Sequence, residues 1–403
     1  MATKRAGKAI TSGMDHKYRV DFALIVLTGN ITRYKIVRPL VEQDTSVVAR
    51  WYPIRTWVED DPLRIFPGPL RLRLRHFLDS WPAYFNSPAD AVIMHAFETY
   101  YIYVLLQRLF GRRTIVINNP DGRTNRSRIY SFAFKHTDLF VPWSNWAAKE
   151  LKKEFPEIPD EKIIVMHPGI NLAEWPLRTP HPPGPRFKLL FVGGDFVRKG
   201  GNTLLDAFSS HLQDNCELVI ATQSGFLPAS IRERITQTPH VTLHLDLTAN
   251  SDNLKQLYRE TDCFVMPTKG DSSSWVAIES MATGIPVIIS HTGGIPDIII
   301  DGQTGLTVPP DDPIAIANAV RRLQGDPELV HSGSPGFPGV LHSFDADTYK
   351  VGFVFPHQKA MLIDEQTFYS GKSWRAFILS SVKDEHILNL TSMQKRIPNG
   401  YCQ

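Results

Sequence analysis

The sequence predicts a two-domain α/β protein in which each domain is a parallel sheet covered by helices. Three observations carry the prediction. A chain of 403 residues exceeds the size at which a single hydrophobic core keeps growing. Short apolar runs rich in β-branched residues alternate with helical patterns through two successive stretches, as strands and crossover helices do. Between the stretches lies Pro176-Leu177-Arg178-Thr179-Pro180-His181-Pro182-Pro183-Gly184-Pro185, which forms neither helix nor ladder and stiffens toward polyproline II.

In the first stretch, residues 22–27, 91–94, 114–117, 139–141 and 163–166 read as strands, and 101–109 and 146–155 as helices. The run 22–27 is short and β-branched, and Thr28-Gly29-Asn30 follows it as a turn. A buried first strand fits this better than a secretory leader. In the second stretch the strands are 188–192, 217–220, 241–245, 263–266 and 287–289, with a helix over 202–208 after the first. Another helix opens near Trp275 and stops at Gly284, ahead of Pro286. Asp312-Pro313 supply an N-cap and a first-turn proline to a late helix, whose Ile316, Val320 and Leu323 share one buried face. Past Val330, glycine and proline crowd residues 332–339 and periodicity weakens. The expected organisation is an N-terminal Rossmann-like domain over 17–178, a proline-rich linker over 179–187, a second such domain over 188–330, and an atypical, poorly ordered tail over 331–403.

Bulk charge excludes little. With 44 basic and 41 acidic residues the chain is only weakly basic, which gives no argument for nucleic acid. Cys216, Cys263 and Cys402 are far apart and lack CxxC spacing, so neither a disulfide scaffold nor a cysteine-ligated zinc is expected. No apolar run approaches the roughly 20 residues that span a bilayer. A cytoplasmic protein is the expectation. Leu70-Arg71-Leu72-Arg73-Leu74-Arg75, near Trp81, Tyr84 and Phe85, lies either on an anionic membrane as a peripheral contact or along an edge segment or helix face with solvated arginines.

The chemistry concentrates in residues 267–309. A strand ends at Met266, and a loop containing Ser272, Ser273 and Ser274 leads into the helix at Trp275. Such a loop exposes unpaired N–H groups at the positive end of the helix dipole, which favours phosphate, and serine hydroxyls add donors. Asp271 precedes the helix and Glu279 lies a turn inside it. Carboxylates so placed suit sugar hydroxyls. Read as isolated residues, Asp271 is a loop acid or N-cap and Glu279 part of a solvated helix face.

This stretch resembles the donor-site signature of the retaining GT-B glycosyltransferases of the GT4-type family (glycosyl transferases group 1). In that family an acid, seven residues and a glutamate precede a Met-Ala-x-Gly-x-Pro-Val-Ile segment and a Gly-Gly-Ile-Pro-Asp/Glu turn. Here Asp271, Glu279, Met281-Ala282-Thr283-Gly284-Ile285-Pro286-Val287-Ile288 and Gly293-Gly294-Ile295-Pro296-Asp297 follow in that order, and then Asp301-Gly302-Gln303-Thr304-Gly305-Leu306. The resemblance implies a GT-B fold, with two Rossmann-like domains whose parallel sheets face across a cleft. It also implies that Glu279 binds the nucleotide's ribose, Asp271 the sugar hydroxyls, and the backbone around Ser273, Ser274, Trp275 and Val276 the diphosphate. The first acid is Asp where the family more often has Glu, and the serines replace a glycine-rich turn. Donor-sugar identity is what these departures leave open.

Phe191-Val192-Gly193-Gly194-Asp195-Phe196-Val197-Arg198-Lys199-Gly200-Gly201 carries no GxGxxG, so it is not a dinucleotide fingerprint. Its glycines let backbone approach a ligand, and Lys199 can bring a cation to a leaving diphosphate. Lys199 matches the family's diphosphate-binding lysine. The family's arginine is replaced at Gly194 or Asp195, so Arg198 either substitutes for it or faces solvent.

The first half matches more loosely. Gly29 sits where the family has a glycine-rich acceptor loop. His95 follows a strand resembling the family's Val-x-His segment, and it faces the cleft or is a hydrogen-bonded structural histidine. Where the family often has a second histidine, this chain reads Asn118-Asn119-Pro120-Asp121-Gly122. Trp143-Ser144-Asn145-Trp146 and His167-Pro168-Gly169-Ile170-Asn171-Leu172 match further landmarks.

The implied activity is retaining transfer of a sugar from a nucleoside diphosphate sugar to a hydroxyl acceptor (glycan, lipid or small molecule). No cofactor and no metal are expected. Asp271, Lys199 and His95 are the candidate catalytic residues. Two other readings keep the fold: a catalytically impaired nucleotide-sugar-binding protein, and a nucleotide-sugar epimerase or hydrolase.

Overall fold

Two all-parallel sheets organise the protein. The computed structural model describes residues 18–26, 47–55, 62–85, 91–94, 104, 114–118, 128–165, 175, 177–179, 184–302, 304–326, 350–353 and 361–364. The N-terminal sheet holds β1 (Tyr18–Val26), β2 (Val47–Arg55), β3 (Ala91–Met94), β4 (Thr114–Asn118) and β5 (Leu139–Val141), in the order β2-β1-β3-β4-β5. Its described helices are α1 (Gly68–Phe85), α2 (Arg128–Lys135) and α3 (Asn145–Glu154).

Strand β2 has no counterpart in the sequence reading. Its register with β1 places Arg50 opposite Asp21, whose fully buried carboxylate takes a two-pronged contact from Arg50 Nε at 2.6 Å and Nη2 at 3.0 Å. Beside this pair, Phe22 and Trp51 stack at 4.3 Å. Residues 163–165 of the expected strand over 163–166 form no strand, and Met166 lies outside the described residues. β5 is three residues long and takes one bridge from Ile163, with Ile164 N donating to Phe140 O at 2.9 Å. The Leu–Arg alternation of residues 70–75 lies on helix α1, where Arg73 is exposed and Arg75 is buried. The helix face is thus the alternative that holds and the edge segment the one that does not, and Arg75 departs from the expected solvated arginines. Leucine and arginine are both good helix formers, and Pro69 sits in the first turn, where its missing N–H costs nothing.

The C-terminal sheet holds β6 (Phe187–Val192), β7 (Cys216–Thr222), β8 (Val241–Leu245), β9 (Cys263–Met266), β10 (Val287–Ser290) and β11 (Leu306–Val308), in the order β11-β10-β9-β6-β7-β8. Helices α4 (Gly201–Ala207), α5 (Ala229–Gln237), α6 (Asp252–Arg259), α7 (Trp275–Ala282) and α8 (Pro313–Gln324) connect and cover it. The inner strands are buried on both faces, so they read as continuous apolar runs such as Cys263-Phe264-Val265-Met266. In α8 the Asp312 side chain accepts from Ala315 N at 2.9 Å, and Ile316, Val320 and Leu323 are fully buried.

The two halves meet at named contacts. Arg178, near the start of the proline-rich segment, docks on the C-terminal half: its N–H donates to Thr283 O at 3.0 Å and its Nη1 to Thr261 O at 2.7 Å. The start of α3 docks there too. Asp297 Oδ2 accepts from Asn145 N at 2.5 Å, and Trp143 packs edge-on against Trp275 with ring centres 5.8 Å apart. In the tail, β12 (Lys350–Phe353) and β13 (Met361–Asp364) pair antiparallel.

Candidate functional site

In an open parallel sheet, ligands bind beyond the carboxyl ends of the strands where the strand order reverses. The C-terminal sheet runs β6 to β8 toward one edge and β9 to β11 toward the other, so the reversal lies between β6 and β9. The loops that leave these two strands carry Lys199 and Asp271.

Glycines set the loop after β6. Gly193 N continues the ladder to Ala221 O at 3.0 Å, and Thr222 Oγ1 donates to Gly193 O at 2.7 Å. A Cβ on Gly193 would lie 3.2 Å from the Lys199 side chain, whereas one on Gly194 would meet only Gln223 at 3.4 Å. Gly200 has φ +79°, and a Cβ there would lie 1.8 Å from Pro267 O. Only glycine allows that approach, which seats the Lys199 turn against the end of β9. Lys199 Nζ then ion-pairs with Asp271 Oδ2, and the side chains are 14% and 13% exposed. Arg198 turns outward: its Nε contacts Asp195 Oδ2 at 3.3 Å, and its Nη1 donates to Gly270 O at 3.0 Å.

The loop after β9 is braced by the next one. Gly294 N donates to Asp271 O at 2.8 Å, and Gly293, at φ +57°, brings its backbone so close that a Cβ would lie 2.1 Å from the same oxygen. The Gly293-Gly294 turn therefore fixes Asp271 from behind.

Ser274, not Asp271, caps α7, its Oγ accepting from Ala277 N at 3.3 Å. The N-cap reading of Asp271 is corrected: the helix starts at Trp275, three residues beyond the position that acid would need. The first N–H groups of a helix lack intrahelical partners. Beside them, the buried Ser273 hydroxyl and Trp275 indole N–H find no hydrogen-bond partner among the described residues. Val276 is half-buried. The solvated reading of Glu279 is also corrected. Glu279 is 5% exposed, with the Tyr258 hydroxyl of α6 set against its carboxylate. Burial pushes its carboxyl up to about 7, against a bond from the Tyr258 hydroxyl and the Lys255 charge, which lower it.

Gly29, His95 and residues 119–122 lie outside the described residues. Two contributors were missed in the sequence: Tyr258 bonds Glu279, and Thr222 holds the Gly193 carbonyl. Asp297, quoted in the sequence only as the end of a turn, joins the halves. Leu254 and Tyr258 are buried one turn apart on α6, and a tyrosine on an apolar face needs a partner for its hydroxyl, so that signal was present.

Residues 186–326 match the family model described as Glycosyl transferases group 1. A glycosyltransferase of Methanocaldococcus jannaschii is 32% identical over 196 residues, 44% of this chain and 50% of its own length. A glycogen synthase of Mycobacterium tuberculosis is 31% identical over 206 residues, 49% of this chain and 48% of its own. The chain thus spans about half the length of the curated relatives it matches. Among solved structures, a sucrose-phosphate synthase of Thermosynechococcus elongatus superposes with TM-score 0.61 at 19% identity, over 79% of this chain and 93% of that one. An Anabaena protein crystallised with UDP-glucose superposes with TM-score 0.59 at 13% identity, over the same 79% and 93%. Residues 186–326 are therefore similar to the group 1 glycosyl transferases, in a chain with the GT-B fold.

Proposed function

We propose that this protein transfers a sugar, with retention of anomeric configuration, from a nucleoside diphosphate sugar to a hydroxyl acceptor. The observation that carries the reading is the Lys199–Asp271 pair at the strand-order reversal, beside a helix start with orphan donors. The diphosphate would take Lys199, the α7 N–H groups and the Ser273 hydroxyl. Asp271, released from Lys199, would accept from the sugar's hydroxyls, and Glu279 from the ribose. Lys199 and the helix dipole would stabilise the charge of the leaving diphosphate without a metal ion. Retention then needs no protein nucleophile, since the leaving phosphate oxygen can accept the acceptor's proton.

We assign the donor to residues 188–330 and the acceptor to residues 17–178, with Gly29 and His95 on the acceptor side. Residence in the cytoplasm, with α1 touching an anionic membrane, belongs to the same proposal. Exposed Ile65, Leu70 and Leu78 with exposed Arg73 support the membrane contact. No described helix is long and apolar enough to cross a membrane.

The test is transfer of labelled sugar from UDP-, GDP- and ADP-sugars to lipid and glycan acceptors in the presence of a chelator, with the product's anomeric configuration read by NMR. A retained linkage formed in chelator supports the reading. Release of free sugar with no transfer product, or an inverted linkage, contradicts it.

A further inference from the structure

The Tyr258 hydroxyl lies 3.0 Å from Glu279 Oε2 and 3.3 Å from Val276 O. It has one proton to give, and the closer, charged acceptor is the stronger claimant. The ring is fixed on two sides, edge-on to Trp175 at 5.3 Å and stacked over Phe264 at 6.2 Å. Tyr258 is fully buried, so its hydroxyl cannot turn to water. An ionised carboxylate has about four acceptor positions, and one buried donor aimed at one oxygen leaves the other oxygen oriented.

We propose that Tyr258 is a positioning residue for donor binding: its hydroxyl holds Glu279 Oε2 so that the second carboxylate oxygen faces the ribose hydroxyls. This rests on the assignment of Glu279 to the ribose. The bond also favours the ionised carboxylate, the form that accepts two ribose hydroxyls. Among the described residues, the charged or titratable groups facing Glu279 are Tyr258 and Lys255, both from α6, and Lys255 also lies over the Trp175 ring at 5.5 Å.

The experiment is calorimetric titration with UDP-, GDP- and ADP-glucose between about pH 5.5 and 8.5, a range in which a pyrophosphate diester does not itself titrate. Wild-type affinity for the preferred sugar nucleotide is expected to rise with pH through a midpoint near neutrality. Tyr258→Phe keeps the ring contacts and loses the donor. It should weaken binding about tenfold at the upper end, as loss of a hydrogen bond to a charged group does. It should also move the midpoint upward, and raise KM more than it lowers kcat. 3,5-Difluorotyrosine in place of Tyr258 keeps the shape and strengthens the donor, so the midpoint should move down. This second replacement serves if the phenylalanine variant does not fold. Unchanged affinity and midpoint in either protein overturn the role of Tyr258 while leaving donor binding intact. Failure of the wild-type protein to bind any of the three defeats the functional reading, and this one with it.

Discussion

Lys199 and Asp271 form an ion pair with each other, although the loops that carry them leave different strands and the two stand 72 residues apart. The pair makes Asp271 a competitor of any phosphate for the Lys199 ammonium. Asp271→Asn is therefore expected to bind a nucleoside diphosphate several-fold more tightly, by about 1 kcal/mol, while sugar transfer falls. Lys199→Met should weaken the same nucleotide. Calorimetry with free nucleoside diphosphate checks both, and equal affinity in Asp271→Asn and wild type counts against the competition.

Glu279 makes the site sensitive to pH. Its carboxyl is raised from 4.5 to about 7 by burial, so between those values the folded chain keeps a proton that the unfolded chain releases. The stability tied to that proton is fully present below about pH 4.5 and is lost as the pH rises to about 7. Glu279→Gln removes the dependence. It should raise unfolding stability at pH 8 by up to about 3 kcal/mol, with a shrinking difference toward pH 5, and abolish nucleotide binding. Urea unfolding at the two pH values reads the effect, and a variant no more stable than wild type at pH 8 contradicts it.

The glycines of the β6 loop should not be equivalent. Gly200→Ala puts a methyl group 1.8 Å from Pro267 O in a left-handed backbone, whereas Gly194→Ala meets one side chain at an ordinary 3.4 Å. The first should cost several kcal/mol of stability through overpacking and strain and lose nucleotide binding. The second should stay within about 1 kcal/mol of wild type. Thermal melts of the two variants make the comparison, and similar melts would contradict the loop geometry.

Asp297 caps a helix that belongs to the other half of the chain. Asp297→Ala leaves the Asn145 N–H without that acceptor and should cost about 0.5–2 kcal/mol, the usual loss of a helix cap. Asp297→Asn keeps an acceptor and should restore most of it. Ser144, which caps the same helix by accepting from Ala147 N at 3.0 Å, limits the damage. Chemical unfolding of the two variants decides the point, and equal losses would contradict the capping role.

Much of the C-terminal half is legible in the sequence, because its inner strands are short, apolar and bounded by turn residues. The N-terminal half is less so. Val47-Val48-Ala49-Arg50-Trp51-Tyr52 is β-branched and aromatic, but its Arg50 makes sense only opposite the buried Asp21, a partner that no local pattern reveals. Residues 163–166 look like a strand, and the described part, 163–165, fails for want of a long enough neighbour. The alternation at 70–75 has the period of a strand, yet helix propensity and a first-turn proline win. At the site, residue types and order predict where a cation and two carboxylates belong. They do not predict that Lys199 and Asp271 pair, that Glu279 is buried, or that Tyr258 stands against it. Those relations depend on packing between loops and helices far apart in the chain.

The most direct test of donor binding is titration of the purified protein with UDP, GDP and ADP, repeated with Glu279→Ala. Micromolar binding of one nucleotide, lost in the variant, is the predicted result and would name the base. Binding of none of them, or binding untouched by the substitution, would contradict a donor site built on Lys199, Asp271 and Glu279.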